Sequence, residues 1–173
     1  MPSPSSQKRN ILVYPHEILR SQARPVERID GAFQDLIDEM IEIMYGAKGV
    51  GLAANQIGEL LELVVMDVSA EGDRPQPIVL VNPVIDASEG EVVEPEGCLS
   101  VPDYTAEVKR AARVHVSAYD REGREVSLEC EGLLAKCVQH ELDHLKGICF
   151  VDRLGPVKKA LFQRRWSKLR SQG

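Results

Sequence analysis

The sequence predicts an α+β fold: mostly antiparallel sheets packed around a central helix carrying an HExxH motif, with a further helix at the C-terminal end. Three observations carry this. Phe33, Leu36, Ile37, Met40, Ile41 and Met44 recur at helical spacing. Residues 113–119 alternate apolar and polar, and the turn residues DREG at 120–123 lead to a partner segment at 125–130. The run QHELDHLKG at 139–147 follows these strands and suits a helix packed on them.

At 173 residues the chain suits one domain, long enough to bury about 70% of its unfolded surface. Residues 1–10, MPSPSSQKRN, are polar and lack the apolar core of a signal peptide, so a loose extension and no export are expected. The catalytic domain is expected over residues 11–156. The apolar stripe of 33–44 reads as a core-facing helix, with Gly46 and Gly49 ending it. Residues 61–68 and 78–81 read as buried strands, and a helix should run from about 131 to 147. No apolar run approaches the length of a membrane helix. Four cysteines, too sparse for a disulfide scaffold, fit a reducing cytoplasm.

Residues 140–144 read His-Glu-Leu-Asp-His. On a helix, His140 and His144 share a face and can reach one metal ion, with Glu141 beside them to take a proton from an activated water. The pattern points to metal-dependent hydrolysis, with a third protein ligand still needed. The HExxHxxGxxH completion fails because its last position is Phe150, and no Glu follows Glu141. The third ligand is therefore expected upstream or from a cysteine. Cys137 lies seven residues from His144, roughly 10 Å along a helix axis, too far to converge easily with it on one ion. Cys130 and Cys149 sit in strand-like or apolar contexts. Cys98, in PEGCLSVP, is favoured, because Gly97, Pro95 and Pro102 suggest a rigid irregular loop able to present a thiolate.

GVGLAANQ (49–56), EGCLS (96–100) and QHELDHLKG (139–147), in this order and spacing, resemble the three signature motifs of the peptide deformylases, and the similarity runs over nearly the whole chain. The resemblance implies a metal held by Cys98, His140 and His144, with Glu141 as general base and acid. It implies that Gln56 and the backbone N–H of Leu99 stabilise the oxyanion. Gly49 and Gly51 would border the substrate backbone, and Val50, Leu133, Cys137 and Glu96 would line a pocket for a methionine side chain. The implied substrate is an N-formyl-methionyl chain end, released as formate and a free amino terminus. Fe(II) is the metal the resemblance implies, with Ni(II) or Co(II) able to support activity, whereas the donor chemistry alone suggests Zn(II).

Departures from the family pattern are Asn55, where many members carry Pro, and Tyr104 and Thr105, near where many bacterial members carry a peptide-contacting Arg. Asp143 reads either as a partner of Arg110 or a ligand-orienting group, or as a helix-surface acid. His16 and His115 read as structural or solvated. Six of the 21 basic residues lie in 157–173 with no acid, leaving 15 against 27 acidic residues and a net charge of −12 elsewhere. With Leu161, Phe162, Trp166 and Leu169 this tail reads as a basic amphipathic helix, either docked on the domain or an arm for an acidic surface. The resemblance implies ribosome docking near the exit tunnel, and a monomer is expected. Two alternatives remain at this level, another HExxH peptidase and a structural zinc protein.

Overall fold

The structure, a computed structural model, describes residues 9–171. In chain order the main elements are α1 (Gly31–Gly46), β1 (Gly51–Ala53), β2 (Leu63–Met66), β3 (Ile78–Glu89), β4 (Val92–Cys98), β5 (Val101–Arg110), β6 (Arg113–Tyr119), β7 (Glu125–Glu131), α2 (Gly132–Leu145) and α3 (Pro156–Ser171). A five-stranded antiparallel sheet runs in the order β1-β2-β3-β6-β7, and β4 and β5 form a separate two-stranded hairpin.

The sheet lies between two helices. Along β2, Val64 and Met66 pack with Ala135, Val138, Leu142 and Leu145 of α2, while Leu63 and Val65 pack with Met40 and Met44 of α1. The two-residue period of a strand thus serves both layers, so all four β2 residues are buried. Asp30 caps α1 by accepting the Phe33 N–H at 3.0 Å. α1 ends at Gly46, as expected, but the left-handed residue that follows is Lys48 (φ 58), and neither Gly46 nor Gly49 takes positive φ.

The β6–β7 pair forms where expected, with its register running from Arg113↔Glu131 to Tyr119↔Glu125 and Gly123 at φ 83 in its turn. β3 runs past the expected end at Val81 because Asn82, at φ 51 before Pro83, interrupts the alternation at a register shift. The Asn82 side chain satisfies both backbone groups of Val26 at 2.7 and 3.0 Å.

The irregular loop expected around Cys98 is instead a tight hairpin, with Cys98 ending β4 and Val101 opening β5. Its prolines do not forbid it: the sheet has only two strands, and its register shifts between Glu96 and Cys98, where Gly97 sits.

The tail helix α3 docks on the domain. Phe162 and Trp166 are buried with Tyr14, Val101, Val108 and Phe150, and the Trp166 indole N–H donates to the Tyr14 carbonyl at 3.1 Å. Leu161 and Leu169, expected on the same face, stay 59% and 46% exposed. Of the expected extension, residues 1–8 lie outside the described residues, and Arg9 pairs with Glu39 and Glu59 at 2.5 and 2.9 Å.

Candidate active site

α2 starts from Gly132 at φ 60, directly after β7, and its buried face carries His140, Glu141 and His144 to the end of β4. There the Cys98 sulfur stands 3.4 Å from His144 Nε2, which is 3.2 Å from His140 Nε2. The three donor atoms lie within 4.8 Å of one another. Separations of 3.2–3.4 Å between lone-pair donors suit the edges of a tetrahedron with bonds of about 2.0–2.3 Å. The residues therefore fit a divalent metal with a soft thiolate ligand. Burial, then the neighbouring positive charges of His140 and Arg110, pushes His144 well below the ordinary imidazole range. Burial also pulls His140 down, but Cys98 and Glu96 overcome this and raise it to about 10.

Behind the donors lies a chain of ionic contacts. Glu96 approaches His140 Nδ1 at 3.0 Å and receives Arg110 through two N–H groups at 2.8 Å each. Arg110 also donates to Asp143 at 2.6 Å, and Arg153 donates to the same carboxylate at 2.5 and 2.7 Å. Burial would raise the Glu96 pKa, yet Arg110 and His140 hold it down at about 2. The carboxylate fixes which His140 nitrogen faces the metal site. Of the readings of Asp143, the partner of Arg110 is the one observed, and the residue is buried, not a surface acid.

Glu141 is 4% exposed, and its Oε2 is buried without a hydrogen-bond partner among the described residues. Burial raises its pKa to about 7, against the pull of His140 and Arg110. A carboxyl poised there can accept and return a proton near neutral pH. Room for it comes from Gly51, where a Cβ would lie 2.9 Å from Glu141 Oε1 and 2.8 Å from the Cys137 sulfur. A Cβ on Gly49 would meet the Leu99 side chain at 2.6 Å. Gly51 is thus required by the protein's own packing, whereas at Gly49 the Leu99 side chain would have to shift.

Gln56 is oriented from both ends. Its Oε1 accepts the Ala53 N–H at 2.9 Å, so its amide nitrogen faces Ser100 Oγ at 3.0 Å and the Cys98 sulfur at 3.7 Å. The Ser100 N–H donates to the same sulfur at 3.4 Å. The Asn55 side-chain amide donates to the Ser21 carbonyl at 2.9 Å.

These groups sit at the inner wall of a cavity of about 540 Å³. Gly49, Val50, Gly51, Gln56, Glu96, Cys98, Leu99, Leu133, Cys137, His140 and Glu141 all border it, and His144 joins through the donor cluster. Val50 and Leu133 are 45% and 46% exposed and give the cavity apolar walls. Glu96 lines the wall with its carboxylate committed to Arg110 and His140. Cys137 is buried outside the donor cluster, its thiol donating to the Val50 carbonyl at 3.7 Å. Tyr104 turns its ring onto Phe162 and Phe150, at 4.7 and 6.1 Å between centroids. His16 caps a short helical turn by accepting from the Ile18 N–H, and His115 pairs with Asp86. Ser100 and Arg153 were not singled out from sequence. Ser100 lay within EGCLS and could have been, whereas nothing local marks Arg153.

Comparison with known proteins agrees with this geometry. Residues 8–160 match the family model described as polypeptide deformylase. A peptide deformylase of Syntrophobacter fumaroxidans is 50% identical over 159 residues, covering 92% of this chain and 94% of the relative. One of Chromobacterium violaceum is 50% identical over 163 residues, covering 94% and 96%. The crystal structure of a peptide deformylase from Legionella pneumophila superposes with a TM-score of 0.87 at 47% identity, covering 95% of this chain and 98% of that one.

Proposed function

The chain belongs to the polypeptide deformylase family and is a deformylase, and on that premise we propose that it hydrolyses the formyl amide of N-formyl-methionyl chain ends on newly made polypeptides. The observation that carries this reading is the buried, partnerless Glu141 oxygen beside the Cys98–His140–His144 donors at the inner end of the cavity. A divalent metal on those three residues, proposed to be Fe(II) with Ni(II), Co(II) or Zn(II) able to substitute, would supply Lewis acidity that activates water and the formyl carbonyl.

The protein's residues then divide the remaining work. Glu141 takes a proton as the water oxygen bonds to the formyl carbon. Gln56, held by Ala53, and the Leu99 N–H donate to the developing oxyanion; such donors are worth about 2.7–4 kcal/mol each in comparable sites. Glu141 then delivers the proton to the amide nitrogen as the C–N bond breaks, leaving formate and a free amino terminus. Val50, Leu133 and Cys137 offer the methionine side chain an apolar seat, and Gly49 and Gly51 border its backbone. The test is formate release from a formyl-Met peptide under anaerobic conditions with Fe(II). Release of formate with the peptide otherwise intact supports the reading, and internal cleavage of an unformylated peptide would favour a peptidase.

Monomeric action in the cytoplasm is proposed too; all four cysteines are free, and no helix among the described residues is long and apolar enough to cross a membrane. Docking on the ribosome is proposed through the exposed basic side of α3, where Val157, Leu161 and Arg164 surround a shallow depression. Phe162 and Trp166 belong to the core, so deletion of α3 would disturb the fold. The paired reversal Arg164→Glu and Lys168→Glu tests docking more cleanly, with weaker, salt-dependent ribosome binding expected.

A further inference from the structure

Two cavity-lining residues outside the proposed chemistry share an unusual backbone. Of the three non-glycine residues with positive φ among those described, Lys48 (φ 58) and Asp103 (φ 62) both border the active-site cavity. Such conformations cost of order 1–3 kcal/mol and persist only where the surroundings impose them. At Lys48 the surroundings are hydrogen bonds: the Lys48 N–H donates to Tyr45 O at 3.0 Å and the Gly49 N–H to Met44 O at 2.9 Å. Asp103 lies in the irregular stretch where β5 has passed its Val101 pairing and not yet reached its Ala106 pairing.

The two residues stand on different walls. Lys48 precedes the glycine segment that makes room for Glu141, and Asp103 follows the Cys98 turn. Both are exposed, and neither side chain has a hydrogen bond or ion pair among the described residues. The other lining ammonium, Lys136, is by contrast occupied by the Pro95 carbonyl at 3.1 Å and Glu94 at 3.7 Å. A peptide whose formyl end meets Glu141 and Gln56 must leave between these walls, and an extended chain turns successive side chains to opposite sides.

Given the deformylase reading, on which this rests, we propose that Lys48 and Asp103 read the charge of the two residues following the formyl-methionine, Lys48 favouring an acidic side chain and Asp103 a basic one. Exposed charge pairs are worth about 0.2–1 kcal/mol, so each preference should be about 1.4- to 5-fold in kcat/KM and should shrink as salt is raised.

The experiment is formate release from formyl-Met-X-Y peptides with X and Y drawn from Glu, Ala and Lys. Wild type is expected to prefer Glu at one position and Lys at the other. Lys48→Gly removes the charge while suiting the left-handed backbone, and should flatten the acidic preference alone. Lys48→Glu should invert that preference, and Asp103→Asn should flatten the basic one. Turnover of formyl-Met-Ala-Ala with ratios that ignore these substitutions would overturn the inference and leave the deformylase reading standing. Failure to release formate from any formylated peptide would instead overturn the reading beneath it.

Discussion

The five-stranded sheet and the β4–β5 hairpin are held in place by different forces. The sheet is gripped between α1 and α2 by side chains that never touch water, such as Leu63, Val64, Val65, Met66, Met40 and Met44. The hairpin meets α3 through Tyr104 against Phe162 and shares an apolar cluster with it through Val101 and Val108, but it is joined to α2 by charge, through Glu96, Arg110, Asp143 and Arg153. Apolar packing is non-directional and tolerant, whereas a bidentate guanidinium–carboxylate contact sets angles as well as distance. The proposed metal donors lie on the charged seam, where the hairpin's Cys98 meets two histidines of α2. Orientation matters most there, and the ions supply it.

That contrast can be broken from either side. Arg110→Met should have the largest effect on the fold, because Glu96 and Asp143 would lose a buried partner. A loss of about 3–5 kcal/mol is expected in denaturant unfolding, with metal affinity lower by about 10- to 100-fold as His140 loses its fixed orientation. Met40→Ala opens space in the apolar layer and should cost about 2–5 kcal/mol. Metal affinity, read by competition with a chelator, should stay within error of wild type. A parallel fall in affinity would show that sheet packing and seam are not separable.

A smaller effect is expected at Asp67, a polar exception on the sheet side. It accepts from Tyr45 Oη, the Ser69 hydroxyl and N–H, and the Gln76 N–H at 2.6–2.9 Å. Burial would raise its pKa, but these donors hold it at about 2. A folded pKa below the unfolded value of about 3.9 means its contribution is present above pH 4 and fades as pH falls towards 2. Asp67→Asn should cost about 1–3 kcal/mol at pH 7. The gap to wild type in melting temperature should close between about pH 4 and pH 2.

The same two regions differed in how legible they were. The helical repeat of 33–44 and the β6–β7 alternation are local patterns with one buried face, and the structure follows them. HExxH is likewise local, since i and i+4 on α2 bring His140 and His144 together whatever surrounds them. The hairpin carries Pro95, Gly97 and Pro102, residues that ordinarily interrupt strands, and so read as a loop although its ends pair. Arg153 reaches Asp143 from ten residues away across the end of α2, with no periodicity to announce it. In α3 the apolar residues were visible, but which of them met the domain depended on Tyr14 and Tyr104, distant in sequence.

The central claim is that the seam between the hairpin and α2 is the hydrolytic centre, with Glu141 moving the proton. Its most direct test measures metal content and formate release together in wild type and Glu141→Gln. The account predicts one metal per chain in both, matching unfolding curves, and formate release lower by about 10²- to 10⁴-fold in the variant. A fully loaded Glu141→Gln protein that releases formate at the wild-type rate would contradict it.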